Sequence, residues 1–237
     1  MTPHRYGTHA DQFCELRLPA GGAAAPVVVV VHGGFWRARY GLETTRAMSE
    51  DLTARGWATW NVEYRRVGTG GGYPETLHDV ATASRAAGDL GLGPLLAMGH
   101  SAGGHLALWL AGEGLVSAAV SLAGVCCLAD ASATALGRGA ADDFMGATHA
   151  DATNDYAHAD PLQRLPTGVP TVLVHGERDD IVPIGQSRMY AAAAGAAGDD
   201  CELFEFRGGH FSVIEPESRV WPAIVERLEG LRAKLSG

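Results

Sequence analysis

Residues 98–105, "MGHSAGGH", place Ser101 between glycines at positions 99 and 103. In a chain with 32 glycines, G-x-S-x-G arises easily by chance, so its surroundings decide its meaning. The apolar run "LLAMG" (95–99) precedes it and reads as a strand; "AGGHLALWLAG" (102–112) follows and reads as a helix. A nucleophile elbow requires this strand–turn–helix setting, because a sharp turn lifts the serine hydroxyl out of the backbone. Such a turn strains the serine and demands small neighbours two positions away, which Gly99 and Gly103 supply. Ser101 therefore reads as a nucleophile.

Working outward, short apolar runs alternate with helical patterns. "VVVVV" (27–31) is a β-branched run typical of a strand buried on both faces. Strands are predicted over 57–64, 95–99, 116–123, 170–176 and 201–206. Helices are predicted over 42–55, 75–88 (with Pro74 near its first turn), 102–112, 184–197 and 217–235. This alternation predicts a mostly parallel central sheet with helices on both faces. Residues 124–166, rich in Ala, Asp, Thr and His, break the rhythm and read as a short cap excursion over the sheet's carboxyl edge. Without internal repeats or a linker, 1–237 reads as one domain.

Ligands of such sheets sit beyond the carboxyl ends of the strands. There, "HGGFW" (32–36) follows the valine run, and the N–H groups of Gly33 and Gly34 can meet an oxyanion together with that of Ala102. Phe35 and Trp36 beside them are candidates for lining a substrate pocket. "ERDDIVP" (177–183) offers Asp179 or Asp180, and "RGGHFS" (207–212) offers His210. The order serine, acid, histidine is the one this architecture uses. An imidazole can take the serine proton while a carboxylate fixes its tautomer.

Together "HGGFW", "GHSAGGH", "HGERDDIVP" and "GGHF" resemble the α/β-hydrolase fold over essentially the whole chain. More closely, they resemble its esterase branch, which includes arylformamidase (kynurenine formamidase) and small carboxylesterases. The resemblance assigns the acid to Asp179, with Val182 and Pro183 in register, and leaves Asp180 as a flanking residue. It implies a serine hydrolase that works without a cofactor through an acyl-serine on a small ester or arylformamide such as N-formylkynurenine. A short-chain carboxylesterase of other specificity is the alternative; a peptidase or a non-catalytic binding module ranks lower. Only 124–166 could serve as a lid, which argues against long lipids.

The formal charge of −9 argues against nucleic-acid and anionic-membrane partners. The polar N-terminus lacks a signal-peptide core, and no apolar run reaches the ~20 residues of a membrane span; a cytoplasmic protein is expected. The four cysteines show no C-x-x-C pair and read as buried thiols. His149, Asp151, Asp155, His158 and Asp160 have no metal-binding spacing and read as a solvated loop. His32, His100 and His105 read as residues that organise the loops around the serine. Asp79 reads as a surface or loop-anchoring residue, and Arg37 and Arg39 as surface charge.

Overall fold

The valine run accounts for the centre of the fold. In a computed structural model, which describes residues 3–22 and 25–236, it forms β3 (Val27–Val31), every residue of which is buried. Side chains alternate across a strand. Val28 and Val30 therefore join Met48, Leu52, Met98, Trp221 and Leu228 on one face. Val27, Val29 and Val31 join Leu77, Val80, Leu106 and Tyr190 on the other. Two apolar faces explain why the strand carries no polar residue.

Among the described residues, eight strands form one sheet: β1 (His4–Arg5), β2 (Phe13–Arg17), β3, β4 (Ala58–Glu63), β5 (Leu95–His100), β6 (Ala118–Leu122), β7 (Thr171–Gly176) and β8 (Cys201–Phe206). Their order is β1-β2-β4-β3-β5-β6-β7-β8. Strands β3 to β8 run parallel, while β1 and β2 add antiparallel at the edge. Helices α1 (Arg46–Ala54), α2 (Glu75–Gly88), α3 (Ala102–Gly112), α7 (Gly185–Ala197) and α8 (Trp221–Ser236) connect and cover the sheet. The chain moves from β3 to β4 on one side and returns through α2 to β5 on the other. Strand order thus reverses between β3 and β5, which opens a crevice at their carboxyl ends. Gly33 follows β3 there and Ser101 follows β5.

Three differences from the sequence reading have physical causes. The pair β1–β2 was not foreseen, because a half-exposed edge strand carries polar residues: Glu15 and Arg17 of β2 pair with Arg46 and Glu50. The segment 42–55 divides into a 3-10 turn (Leu42–Thr45) and α1. The last helix starts at Trp221, four residues later than expected, with Pro222 in the first turn where its missing N–H costs nothing.

The excursion 124–166 holds α4 (Leu128–Ala133), α5 (Leu136–Met145) and α6 (Thr153–Ala159). It packs behind the loop after β3. The Phe144 ring stacks on Trp36 with centroids 4.8 Å apart, and Trp109 Nε1 donates to the His158 carbonyl at 3.0 Å. The start of α5 is irregular: Ala135 and residues 137–139 all have positive φ. Arg37 clamps this turn by donating to the carbonyls of Gly137 and Arg138 and to Asp143.

Candidate active site

Ser101 lies between β5 and α3 with φ 56° and ψ −120°, a strained conformation for a residue with a side chain. The turn is tight because backbones meet: a Cβ at Gly99 would enter the Gly103 backbone, and one at Gly103 would enter the Val31 carbonyl. The Ser101 N–H donates to the Leu122 carbonyl at 2.9 Å. Ala102 is the first residue of α3, so its N–H has no acceptor inside the helix.

His210 lies beyond β8. Its Nδ1 is 2.7 Å from Asp179 Oδ2, which leaves Nε2 as the nitrogen free for a serine hydroxyl. Asp179 is fixed by the N–H groups of Ile181 and Val182, both at 2.9 Å. His175 Nε2 approaches the same Oδ2 at 3.3 Å; its Nδ1 contacts Ser187 Oγ at 2.7 Å. Burial alone would raise the Asp179 carboxyl. The hydrogen bonds from His175 and His210, the charge of His210 and the Val182 N–H outweigh it and hold the group well below the usual carboxylate range. Among these contacts, Asp180 has no part.

Ser101 and His210 line one cavity of about 120 Å³, with Gly33, Gly34, Phe35 and His100 among the other walls. A Cβ at Gly33 would sit 2.9 Å from that of Ser101, so the glycine lets the loop approach the serine. Trp36, expected beside Phe35 in the pocket, lies underneath instead. It is 1% exposed and donates through Nε1 to His105 Nδ1 at 3.2 Å. Phe35 and Trp36 both have positive φ (54° and 56°); the buried indole anchors that turn and leaves Phe35 facing the cavity. No residue of 124–166 is among the cavity's lining residues; the excursion packs on the loop through Phe144, against Trp36, and Gly137, against Phe35.

His100 and His105 act as spacers. His100 Nε2 donates to the His210 carbonyl at 3.0 Å; burial first, then the neighbouring His210, pushes its pKa down to about 3. His105 Nε2 donates to the Ala159 carbonyl at 2.9 Å, and burial lowers its pKa to about 4. Sequence reasoning missed His175, Tyr40, Thr44, Ile181, Phe211 and Ile214. Phe211 and Ile181 were adjacent to motif residues, but nothing in Tyr40 or Thr44 signals a cavity wall. Tyr40, Thr44, Phe211 and Ile214 also open into an outer groove of about 720 Å³ rimmed by Glu50, Asp51, Glu215 and Glu217.

Among the described residues, no cluster of three or more His, Cys, Asp or Glu could hold a metal ion, and no helix is long and apolar enough to cross a membrane. Cys14, Cys126, Cys127 and Cys201 are free; the first three are buried and Cys201 is half-buried.

Residues 14–193 match the BD-FAE family. The chain belongs to that family. It is 32% identical over 200 residues to an esterase, LipC, of Mycobacterium tuberculosis, an alignment covering 70% of this chain and 47% of LipC. The chain thus spans about half the length of that relative. The fold is that of an esterase 2 from Thermogutta terrifontis (TM-score 0.75, 21% identity, 99% of this chain and 91% of that one). It is also that of esterase B from Lactobacillus rhamnosis (TM-score 0.81, 22% identity, 98% and 86%). The Thermogutta esterase has also been solved with butyrate and with propionate bound. The eight-stranded, mostly parallel sheet with its helices is accordingly an α/β-hydrolase fold.

Proposed function

We propose that the protein is a serine esterase that transfers small acyl groups to water. The observation that carries this reading is the cavity that Ser101 and His210 share, with His210 held on Asp179. His210 Nε2 accepts the Ser101 proton as Oγ attacks the ester carbonyl, and Asp179 keeps Nδ1 protonated and stabilises the imidazolium. The N–H groups of Gly33, Gly34 and Ala102 receive the oxyanion. The tetrahedral adduct collapses to an acyl-serine as His210 protonates the departing alkoxide. Water, deprotonated by the same imidazole, then releases the acid. This chemistry needs no cofactor.

The size of the inner cavity favours a short acyl chain, and the propionate and butyrate complexes of the Thermogutta esterase support the same choice. The outer groove suits the alcohol portion, and its four carboxylates disfavour an anionic one. An arylformamide is the second reading: formyl is the smallest acyl group, and Tyr40 and Phe211, 42% and 54% exposed, offer rings to an aryl leaving group.

Steady-state kinetics on p-nitrophenyl acetate, butyrate and octanoate beside N-formylkynurenine test these readings. The expected order puts kcat/KM highest for acetate or butyrate, with octanoate at least about tenfold lower, since an overlong chain cannot be seated. Turnover of the formamide alone would replace the ester reading by arylformamidase. Octanoate as the best substrate would overturn the short-chain assignment.

A further inference from the structure

Beneath the loop after β3 lies a buried polar network that the acyl-transfer steps do not use. His32 is fully buried and stacks on Tyr64, centroids 4.3 Å apart and planes 10° apart. Its Nε2 is 3.0 Å from Glu63 Oε1, and its Nδ1 is 2.7 Å from the Gly33 carbonyl oxygen. Glu63 Oε1 also accepts the Tyr64 N–H and lies 3.0 Å from Arg66 Nη1, and Oε2 accepts the Leu42 N–H. Arg66 in turn pairs with Asp11 at 3.0 Å. A carbonyl oxygen can only accept. The His32 Nδ1 that faces the Gly33 carbonyl is therefore the donor of that hydrogen bond.

In a planar trans peptide the C=O and the following N–H point to opposite sides. The Gly33 carbonyl turns inward onto His32, so the Gly34 N–H turns outward, toward the cavity that Gly33 and Gly34 line. Its neighbours are fixed in the same way. Tyr64 Oη donates to the His32 carbonyl at 2.9 Å, and the Arg37 N–H donates to that of Gly34 at 3.0 Å. Gly34 has no side chain and a φ of 115°, so without the His32 hydrogen bond this peptide can rotate.

We propose that His32, oriented by Glu63, is a positioning residue that locks the Gly33–Gly34 peptide with its N–H toward the oxyanion. This rests on the serine esterase reading above. Release of the lock lets the peptide turn its carbonyl toward the developing negative charge, which lowers kcat and leaves ground-state binding nearly intact.

The test compares two amides. His32→Asn places an amide nitrogen near the position of Nδ1, and His32→Gln places one near that of Nε2. With p-nitrophenyl acetate, His32→Gln loses about 10²- to 10³-fold in kcat, the effect of one oxyanion donor. His32→Asn stays within about tenfold of wild type by the same measure, and KM in both moves less than about threefold. A role limited to filling space or pairing with Glu63 predicts equal loss, or better retention by Gln, and either result overturns the proposal. Should the variants not fold, judged by circular dichroism, ¹⁵N-histidine spectra of wild type decide. A proton on His32 Nδ1 at neutral pH supports the lock and a bare Nδ1 overturns it. Wild type that neither turns over the ester nor reacts with a fluorophosphonate at Ser101 refutes the esterase reading and this inference with it. Active wild type with equally impaired variants refutes the inference alone.

Discussion

At the residue scale, Ser101 shows how local sterics write a motif. The strained φ of 56° is tolerated because Gly99 and Gly103 let three backbone segments meet where any Cβ would collide. That requirement was legible in eight letters of sequence. The partner residues were legible because each follows a strand, with Asp179 preceding two N–H groups that seat its carboxylate. What the letters did not carry was the second histidine on Asp179, since His175 is four residues upstream on a strand whose orientation depends on the whole sheet. Two outcomes follow for the proposed chemistry. Ser101→Ala removes ester turnover by about 10⁶-fold in kcat. Asp179→Asn lowers kcat by about 10⁴-fold with the fold retained, because an amide favours the wrong tautomer of His210. Steady-state rates with circular dichroism as a control check both.

At the scale of elements, the loop 32–36 and the excursion 124–166 form one unit. Trp36 stacks on Phe144 and meets the His105 ring edge-on, and Gly137 lies so close to Phe35 that a Cβ there would enter its ring. The excursion's helices were not legible. Its turn depends on left-handed Ala135 and Arg138, which composition does not announce. Its packing partner, Trp36, reads equally well as a pocket residue. Phe144→Ala is expected to cost about 3–5 kcal/mol in unfolding free energy, the usual range for emptying a buried phenylalanine site. Because the indole beneath the loop loses its stacking partner, kcat for esters should fall as well, whereas a purely distant cavity would leave kcat unchanged. Urea denaturation and kinetics on the same preparation separate the two.

At the scale of the molecule, the reversal of strand order between β3 and β5 brings residues 33, 101, 179 and 210 to one edge of the sheet. The parallel core was legible because buried strands read as apolar runs, whereas the β1–β2 edge was not, since its exposed side chains are polar and ion-paired. The same deep packing buries His100 and His105 as neutral rings. Their folded pKa values, about 3 and about 4, lie below the ~6.5 of an unfolded histidine. Their contribution to stability is thus fully present above pH ~6.5 and is lost progressively as pH falls toward the folded values, where the unfolded chain binds more protons. Between pH 6.5 and 5 the two together should remove on the order of 3 kcal/mol. Thermal melts should show a falling Tm over this window, with a shallower slope in His105→Gln.

Ser101 as the nucleophile is tested by intact-protein and peptide mass spectrometry after reaction with a fluorophosphonate. The expected result is one adduct per chain, located on Ser101 and lost in both Ser101→Ala and His210→Ala. An unmodified protein, or an adduct on another residue that persists in Ser101→Ala, would rule Ser101 out as the nucleophile.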